Sequence, residues 1–334
     1  MAPGRLLRGV KLAGTGLLTW ALLACSWFGL KDKKDEAAAE RSKTVAPSPV
    51  PSPVVVPPPA ASTPEPRKSA LSYDFEHPER RWVLPKKLKE ISGLVAFSDH
   101  EIACIQDESG SVFFYDLRQD RITKTRRFAG RGDYEELTDT GQKFYVLRSD
   151  GRLFELDQTS PSESRERKPH LPKGEYESMV WDQRTQRLVF VPKKLEHPYQ
   201  DDRRAHPIFA WDPETPKAPA VPLGVVHSQG IAERAAEVAR RQGKKVGKHF
   251  ARRFRHFEAS ALAVDPITGQ LLILSSVEHR IIATRRDGEV LDERKLDPDL
   301  FPQPEGLAVL ANGDLLISNE AAGLEPTVLL FRRH

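Results

Sequence analysis

The pattern that organises this chain begins at Glu90. A short polar cue is followed by an apolar strand, a turn and a second apolar strand, and the unit then repeats. Its five instances open at Glu90-Ile91-Ser92-Gly93-Leu94, Tyr134-Glu135-Glu136-Leu137, Tyr176-Glu177-Ser178-Met179, Ala259-Ser260-Ala261-Leu262 and Pro304-Glu305-Gly306-Leu307. The anchoring residues Leu94, Leu137 and Met179 are spaced by 43 and 42 positions, and Leu262 and Leu307 by 45. A period of this length built from short strands is the signature of propeller blades. Further strands are predicted at 101–106 and 111–117, 143–147 and 152–156, 187–191 and 207–211, 270–274 and 280–284, and 314–318 and 327–331. Turn signals such as Asp150-Gly151 and Asn312-Gly313 punctuate them. The expected fold is all-β, a single β-propeller over residues 79–334.

Two places interrupt the repeat. The last unit is a strand short, while Arg81–Leu84 precedes the first unit without a partner. Pairing these ends would close the ring and remove its exposed edges. Met179 and Leu262 are 83 residues apart, almost two periods. That gap reads either as a sixth blade or as an insertion, over 213–257, in a five-bladed ring. The insertion is the preferred reading, because Ile231, Ala235, Val238 and Ala239 fall on one face of a helix over 231–242 and the remainder is too basic for four strands. The insertion carries Arg234, Arg240, Arg241, Lys244, Lys245, Lys248, Arg252, Arg253 and Arg255 against Glu233 and Glu237. It reads as a solvated loop or as a patch for anionic lipid or an acidic partner.

Composition adds little to the fold and more to the location. With 29% charged and 39% hydrophobic residues and a net charge of +4, the chain has no basic excess that would call for nucleic acid. Arg5, Arg8 and Lys11 precede the apolar run Leu12–Ala24, which is shorter than the roughly 20 residues of a spanning helix. The run ends in Leu22-Leu23-Ala24-Cys25, which resembles a bacterial lipobox and implies lipidation of Cys25 and a signal peptide over 1–25. Ser26 in place of an aspartate favours sorting to the outer membrane, with the domain in the periplasm. Residues 26–78 read as a tether: charged at first, then Pro-rich, with nine prolines in the 22 residues from Val45 to Pro66. Such a segment extends as polyproline II at about 3.1 Å per residue. The remaining cysteine, Cys104, lies in an apolar strand and is expected to be a core thiol. His197, His206 and His256 fall in charged stretches and are expected at the surface.

The chemistry follows from the repeat. Two positions before each anchor stand Ser92, Glu135, Glu177, Ser260 and Glu305, which should ring one mouth of the central channel. The second strand of each blade returns to the same face, bringing Asp107 and Glu108, Arg148 and Ser149, Lys193 and Lys194, Ser275 and Ser276, and Asn319 and Glu320. Three converging carboxylates need neutralising. A hard cation such as Ca²⁺ on Glu135, Glu177 and Glu305, with Asn319, is one solution; ion pairs to Arg148, Lys193 and Lys194 are the other. There is no HExxH, GxSxG, P-loop, CxxC or EF-hand motif. The composition therefore supports an envelope module binding a small-molecule or protein ligand, with a Ca²⁺-dependent hydrolase of esters, lactones or phosphoesters as the alternative and the catalytic residues unassigned.

Five segments, Leu88–Leu94, Gly132–Glu135, Leu147–Gly151, Ser260–Pro266 and Pro302–Gly306, together resemble the SdiA-regulated (YjiK-like) family of bacterial propellers. The resemblance implies an envelope-associated propeller and no settled activity. Ala259 departs from it, standing where the family pattern leads one to expect proline.

Overall fold

A computed structural model describes residues 69–160, 163–196 and 204–334. The expected signal segment and lipidation site at Cys25, the Pro-rich stretch and His197 lie outside these residues.

Five four-stranded antiparallel sheets follow one another along the chain. Blade 1 comprises Ile91–Ala96, Glu101–Gln106, Ser109–Asp116 and Arg121–Arg131; blade 2 comprises Tyr134–Asp139, Lys143–Arg148, Leu153–Asp157 and Ser164–Arg167. Blade 3 is built from Ser178–Asp182, Arg187–Val191, Ala205–Trp211 and Val221–His227. Blade 4 is built from Ala261–Val264, Leu271–Ser275, Arg280–Thr284 and Val290–Lys295. Blade 5 takes Pro304–Val309, Leu315–Asn319 and Thr327–Phe331 from the C-terminus and Arg80–Val83 from the N-terminus. The two ends pair antiparallel, Trp82 opposite Val328, so the ring closes as expected. Closure thus joins the first and last strands of the described domain in one sheet.

The strand patterns explain the architecture. Leu271–Ser275 and Arg280–Thr284 are buried at every position, because a middle strand is covered on both faces by neighbouring blades. The outermost strands are instead polar and largely exposed, as in Arg121–Arg131 and Ser164–Arg167. Apolar side chains gather in five cores, one between each adjacent pair of blades. Five such cores require five blades, and the described residues form no sixth. Cys104 is fully buried in the core between blades 5 and 1, and burial pushes its thiol up to about 12.

Two boundaries move. Residues 69–78 belong to the folded domain: Leu71, Tyr73 and Phe75 are buried in the core between blades 4 and 5, and Tyr73 bridges to Arg333. The insertion is also shorter than 213–257, because Val221–His227 is the outer strand of blade 3. What remains is the helix Ser228–Arg241 and a 3₁₀ turn over Phe250–Phe254. Ile231, Ala232 and Ala235 with Phe254 cap the core between blades 3 and 4. His206, expected at the surface, is buried on its strand, edge-on to Phe257 and within 3.3 Å of the Ser228 hydroxyl.

Candidate functional site

All five residues of the expected ring line one cavity of about 480 Å³ at the channel mouth. Local backbone explains how. In blades 1, 2 and 5 the first strand slips register at this position, between Ile91 and Leu94, Tyr134 and Glu136, and Pro304 and Gly306. A β-bulge leaves one residue unpaired and re-aims its side chain. In blades 3 and 4 the regular strand begins one residue later, at Ser178 and Ala261. In blades 1, 2 and 5 the ring residue is thus released from the ladder, whereas in blade 4 the Ser260 amide still donates to the Leu274 carbonyl at 2.9 Å.

The alternation of serine and glutamate has a structural reason. The Ser92 hydroxyl donates to the Glu135 carbonyl, and the Ser260 hydroxyl donates to the Pro304 carbonyl at 3.3 Å. The serines tie blade 1 to blade 2 and blade 4 to blade 5. The glutamates of blades 2, 3 and 5 are left facing the cavity.

The strand ends divide. Asp107 and Lys193 line the cavity as expected. Arg148 does not: its guanidinium is held by Asp150 at 2.6 and 2.9 Å, because the Asp150-Gly151 turn brings that carboxylate back against it. Ser275 is buried behind the wall, accepting from the Glu258 and Glu278 amides at 3.4 Å, and its neighbour Ser276 takes the lining position. Asn319 is also fully buried and donates to Thr327 Oγ1 at 3.0 Å and the Leu300 carbonyl at 3.4 Å. These three were placed by strand arithmetic, which gives the height of a residue but not the face it presents. Lys194 is turned outward into the short ladder Gly174–Glu175 with Lys194–Leu195. Of the expected ion pairs only Lys193 with Glu177 is made.

The lining is more acidic than the repeat suggested. Glu90, Asp133 and Glu258 join the expected Asp107, Glu135, Glu177, Glu305 and Glu320, so eight carboxyl groups face Lys193 and His279. Burial, reinforced by Glu177, Asp133 and Glu305 and only partly offset by the Lys193 charge, pushes Glu135 up to about 9. Burial and the charge of Glu177 raise Glu305 to about 7, and burial raises Asp107 to about 6. Glu177 also rises, since its burial outweighs the Lys193 ammonium. Like charges crowded in a low-dielectric site cannot all ionise, and protons neutralise the excess.

Beneath the ring lies a residue that the sequence concealed. Glu136 is 1% exposed; its Oε1 accepts from the Leu137 amide at 2.9 Å while its Oε2 has no partner. Burial holds this carboxyl well above the usual range. It fits because blade 1 has Gly93 opposite: a Cβ there would overlap the Glu136 carboxylate and the Leu137 nitrogen. The doublet Glu135-Glu136 before Leu137, facing a glycine in the equivalent slot of blade 1, was the available signal. Among the described residues no three His, Cys, Asp or Glu side chains are gathered into a metal-ligating group, so the trio Glu135, Glu177 and Glu305 shares a cavity without forming a preassembled cage.

The chain matches no protein-family model and no curated protein. Among solved structures it is similar to the glutaminyl cyclase of Myxococcus xanthus, at 14% identity and a TM-score of 0.48 over 77% of this chain and 95% of that one. It is also similar to the PQQ-bound aldose sugar dehydrogenase of Streptomyces coelicolor, at 10% identity and 0.45 over 77% and 97%. A chain of a nidogen/laminin complex shows 12% identity and 0.43 over 69% and 72%. The five blades rest on this chain's own strand pairing, and no chemistry passes to it from these proteins.

Proposed function

We propose that this chain is a membrane-tethered, extracytoplasmic propeller of the SdiA-regulated kind that binds a cationic ligand in its acidic mouth. The observation that carries the reading is the acid excess of that mouth: of eight carboxyl groups, Glu90 is paired with Lys89 at 2.8 Å and Glu177 with Lys193, and the other six have no ion pair among the described residues. A ligand presenting a positive charge, whether a small molecule or part of a protein, would replace the protons that now relieve the repulsion. The ring stands on rigid strands, so the site is largely preformed. Lipidation of Cys25 would hold the domain at the membrane, outer membrane by the residue that follows it.

A second reading is a Ca²⁺-dependent hydrolase of esters, lactones or phosphoesters. It is favoured by an all-oxygen donor set, Glu135, Glu177 and Glu305, brought by three blades to one cavity. A bound divalent ion would supply Lewis-acid activation there, and Glu177 would first have to leave Lys193.

Calorimetric titration of the chain from Ser26 with putrescine and, separately, with CaCl₂ distinguishes the two. Putrescine binding lost in Glu135→Gln and Glu305→Gln is the expected result. Calcium binding lost in the same variants, with turnover of a p-nitrophenyl ester, would transfer the assignment to the hydrolase. No heat with either probe up to millimolar concentration would end both. For the anchor, Cys25→Ser should release the protein from membrane fractions, and undiminished retention would count against lipidation.

A further inference from the structure

The basic insertion and the point where the tether joins the propeller share one anchor, the carboxylate of Asp292. This residue is buried on the outer strand of blade 4. The Leu71 amide donates to its Oδ2 at 3.2 Å, and the Ser69 hydroxyl donates to the same oxygen. From the insertion helix, Arg234 Nε lies 3.7 Å from its Oδ1, and Arg294 completes the group at 2.8 Å. The chain thus enters the folded domain beside the strand on which helix Ser228–Arg241 packs.

From that helix the insertion continues over residues 240–255, which hold Arg240, Arg241, Lys244, Lys245, Lys248, Arg252, Arg253 and Arg255 and no acid. All eight are exposed. Arg241 meets Glu237 at 2.5 Å and Arg253 lies over the Phe250 ring; the other six have no ion pair among the described residues. The buried side of this segment is accounted for by Phe254 and the helix alanines in the core between blades 3 and 4, so its cationic side needs no further protein.

We propose that this face is a membrane-contact surface that takes the anionic headgroups of a lipid bilayer. The occupant follows from charge complementarity and from where the outlying chain ends. The 68 residues that precede the described domain run back from Ser69, at the Asp292 anchor, to Cys25 and the apolar stretch before it. A tether rooted beside the helix that leads into this basic segment favours that side of the domain in meeting the membrane. Each Lys or Arg near an anionic surface adds roughly 1 kcal/mol, screened within a Debye length, so several together supplement a single lipid anchor. The inference rests on the tethered reading for its biological setting, but not on the chemistry of the mouth.

The test uses the chain from Ser26, which keeps every strand of the closed ring and lacks the lipid. It is sedimented with phosphatidylcholine vesicles with and without phosphatidylglycerol. Binding is expected only to the anionic vesicles and should fall as salt rises. Neutralising Lys244→Gln, Lys245→Gln, Lys248→Gln and Arg252→Gln together should weaken it by at least about tenfold, with putrescine binding at the mouth unchanged. An equal neutralisation on blade 1 and the turn that leads into it, at Arg118, Arg121, Arg127 and Lys86, should leave vesicle binding near that of the parent. No binding to anionic vesicles at low salt, equal losses in the two quartets, or binding to soluble heparin but not to vesicles would each overturn the proposal.

Discussion

The two ends of the propeller's strands treat the same side chain in opposite ways. At the turns remote from the mouth, Asp182 accepts from Thr185 and from Arg286 at 2.6 and 2.7 Å, and Asp265 accepts from Thr268 and from Arg333 at 2.8 Å. Each arginine follows the third strand of one blade and reaches the first turn of the blade before, so the two clasps are equivalent. Although burial works against them, these hydrogen bonds and cations hold Asp182 and Asp265 below the usual carboxylate range. At the mouth, half-buried Glu135 and Glu305 are pushed up by desolvation and then by carboxylate neighbours that stand in place of arginines. Burial raises all four carboxylates, and their partners decide which are brought back down. One end of the blades is built for stability, and the other keeps an electrostatic cost that a ligand can relieve.

The largest expected effect breaks the clasp. Asp182→Ala should destabilise the domain by about 3 kcal/mol, since it leaves Arg286 half-buried without its partner; urea unfolding would show a lower midpoint at unchanged slope. A loss within a few tenths would mean that the clasp contributes nothing. Because the folded pKa of Asp182 lies below its unfolded value, its contribution is present above the unfolded value and disappears as pH falls through the folded one. The penalty of Asp182→Asn should therefore shrink under acid conditions.

Next comes Gly93→Ala, which places a methyl group on the Glu136 carboxylate and should cost about 2 kcal/mol. Gly93→Ala combined with Glu136→Gly should recover part of that loss, and a strictly additive double variant would show that the two do not meet.

Smaller in size and opposite in sign is Glu135→Gln. The folded pKa of Glu135 is raised from 4.5 to about 9, so its contribution is fully present below the unfolded value and is lost as pH rises through the folded one. The amide should accordingly raise the melting temperature by about 2–4 °C at alkaline pH, with the gain fading toward pH 4.5. A gain that does not depend on pH would contradict the assignment. The smallest effect sharpens the ligand reading: putrescine affinity should climb between neutral pH and about 9, with protons released. Calorimetry in buffers of different ionisation enthalpy would detect the release.

Much of this was legible in the chain. The Leu94, Leu137, Met179, Leu262 and Leu307 register located the five first strands, and the unpaired segment near Trp82 foretold the closure. The outer strands of blades 1 to 4 were not legible, because a strand that faces water, such as Arg121–Arg131, carries the charge of a loop. For the same reason Val221–His227 was absorbed into the insertion. The ring Ser92, Glu135, Glu177, Ser260 and Glu305 was readable because repeat position fixes height and radius together. Arg148, Ser275 and Asn319 misled because a residue's height at a strand end does not settle which face its side chain takes.

By itself, then, the sequence determined the period, the closure and the five positions that meet at the mouth, since these follow from spacing along one chain. Only the tertiary structure decided which carboxylates find a cation. Arg286 reaches Asp182 across 104 residues and Arg333 reaches Asp265 across 68, while Glu135 meets other acids. Charge state depends on neighbours in space, and those are set by how the blades pack.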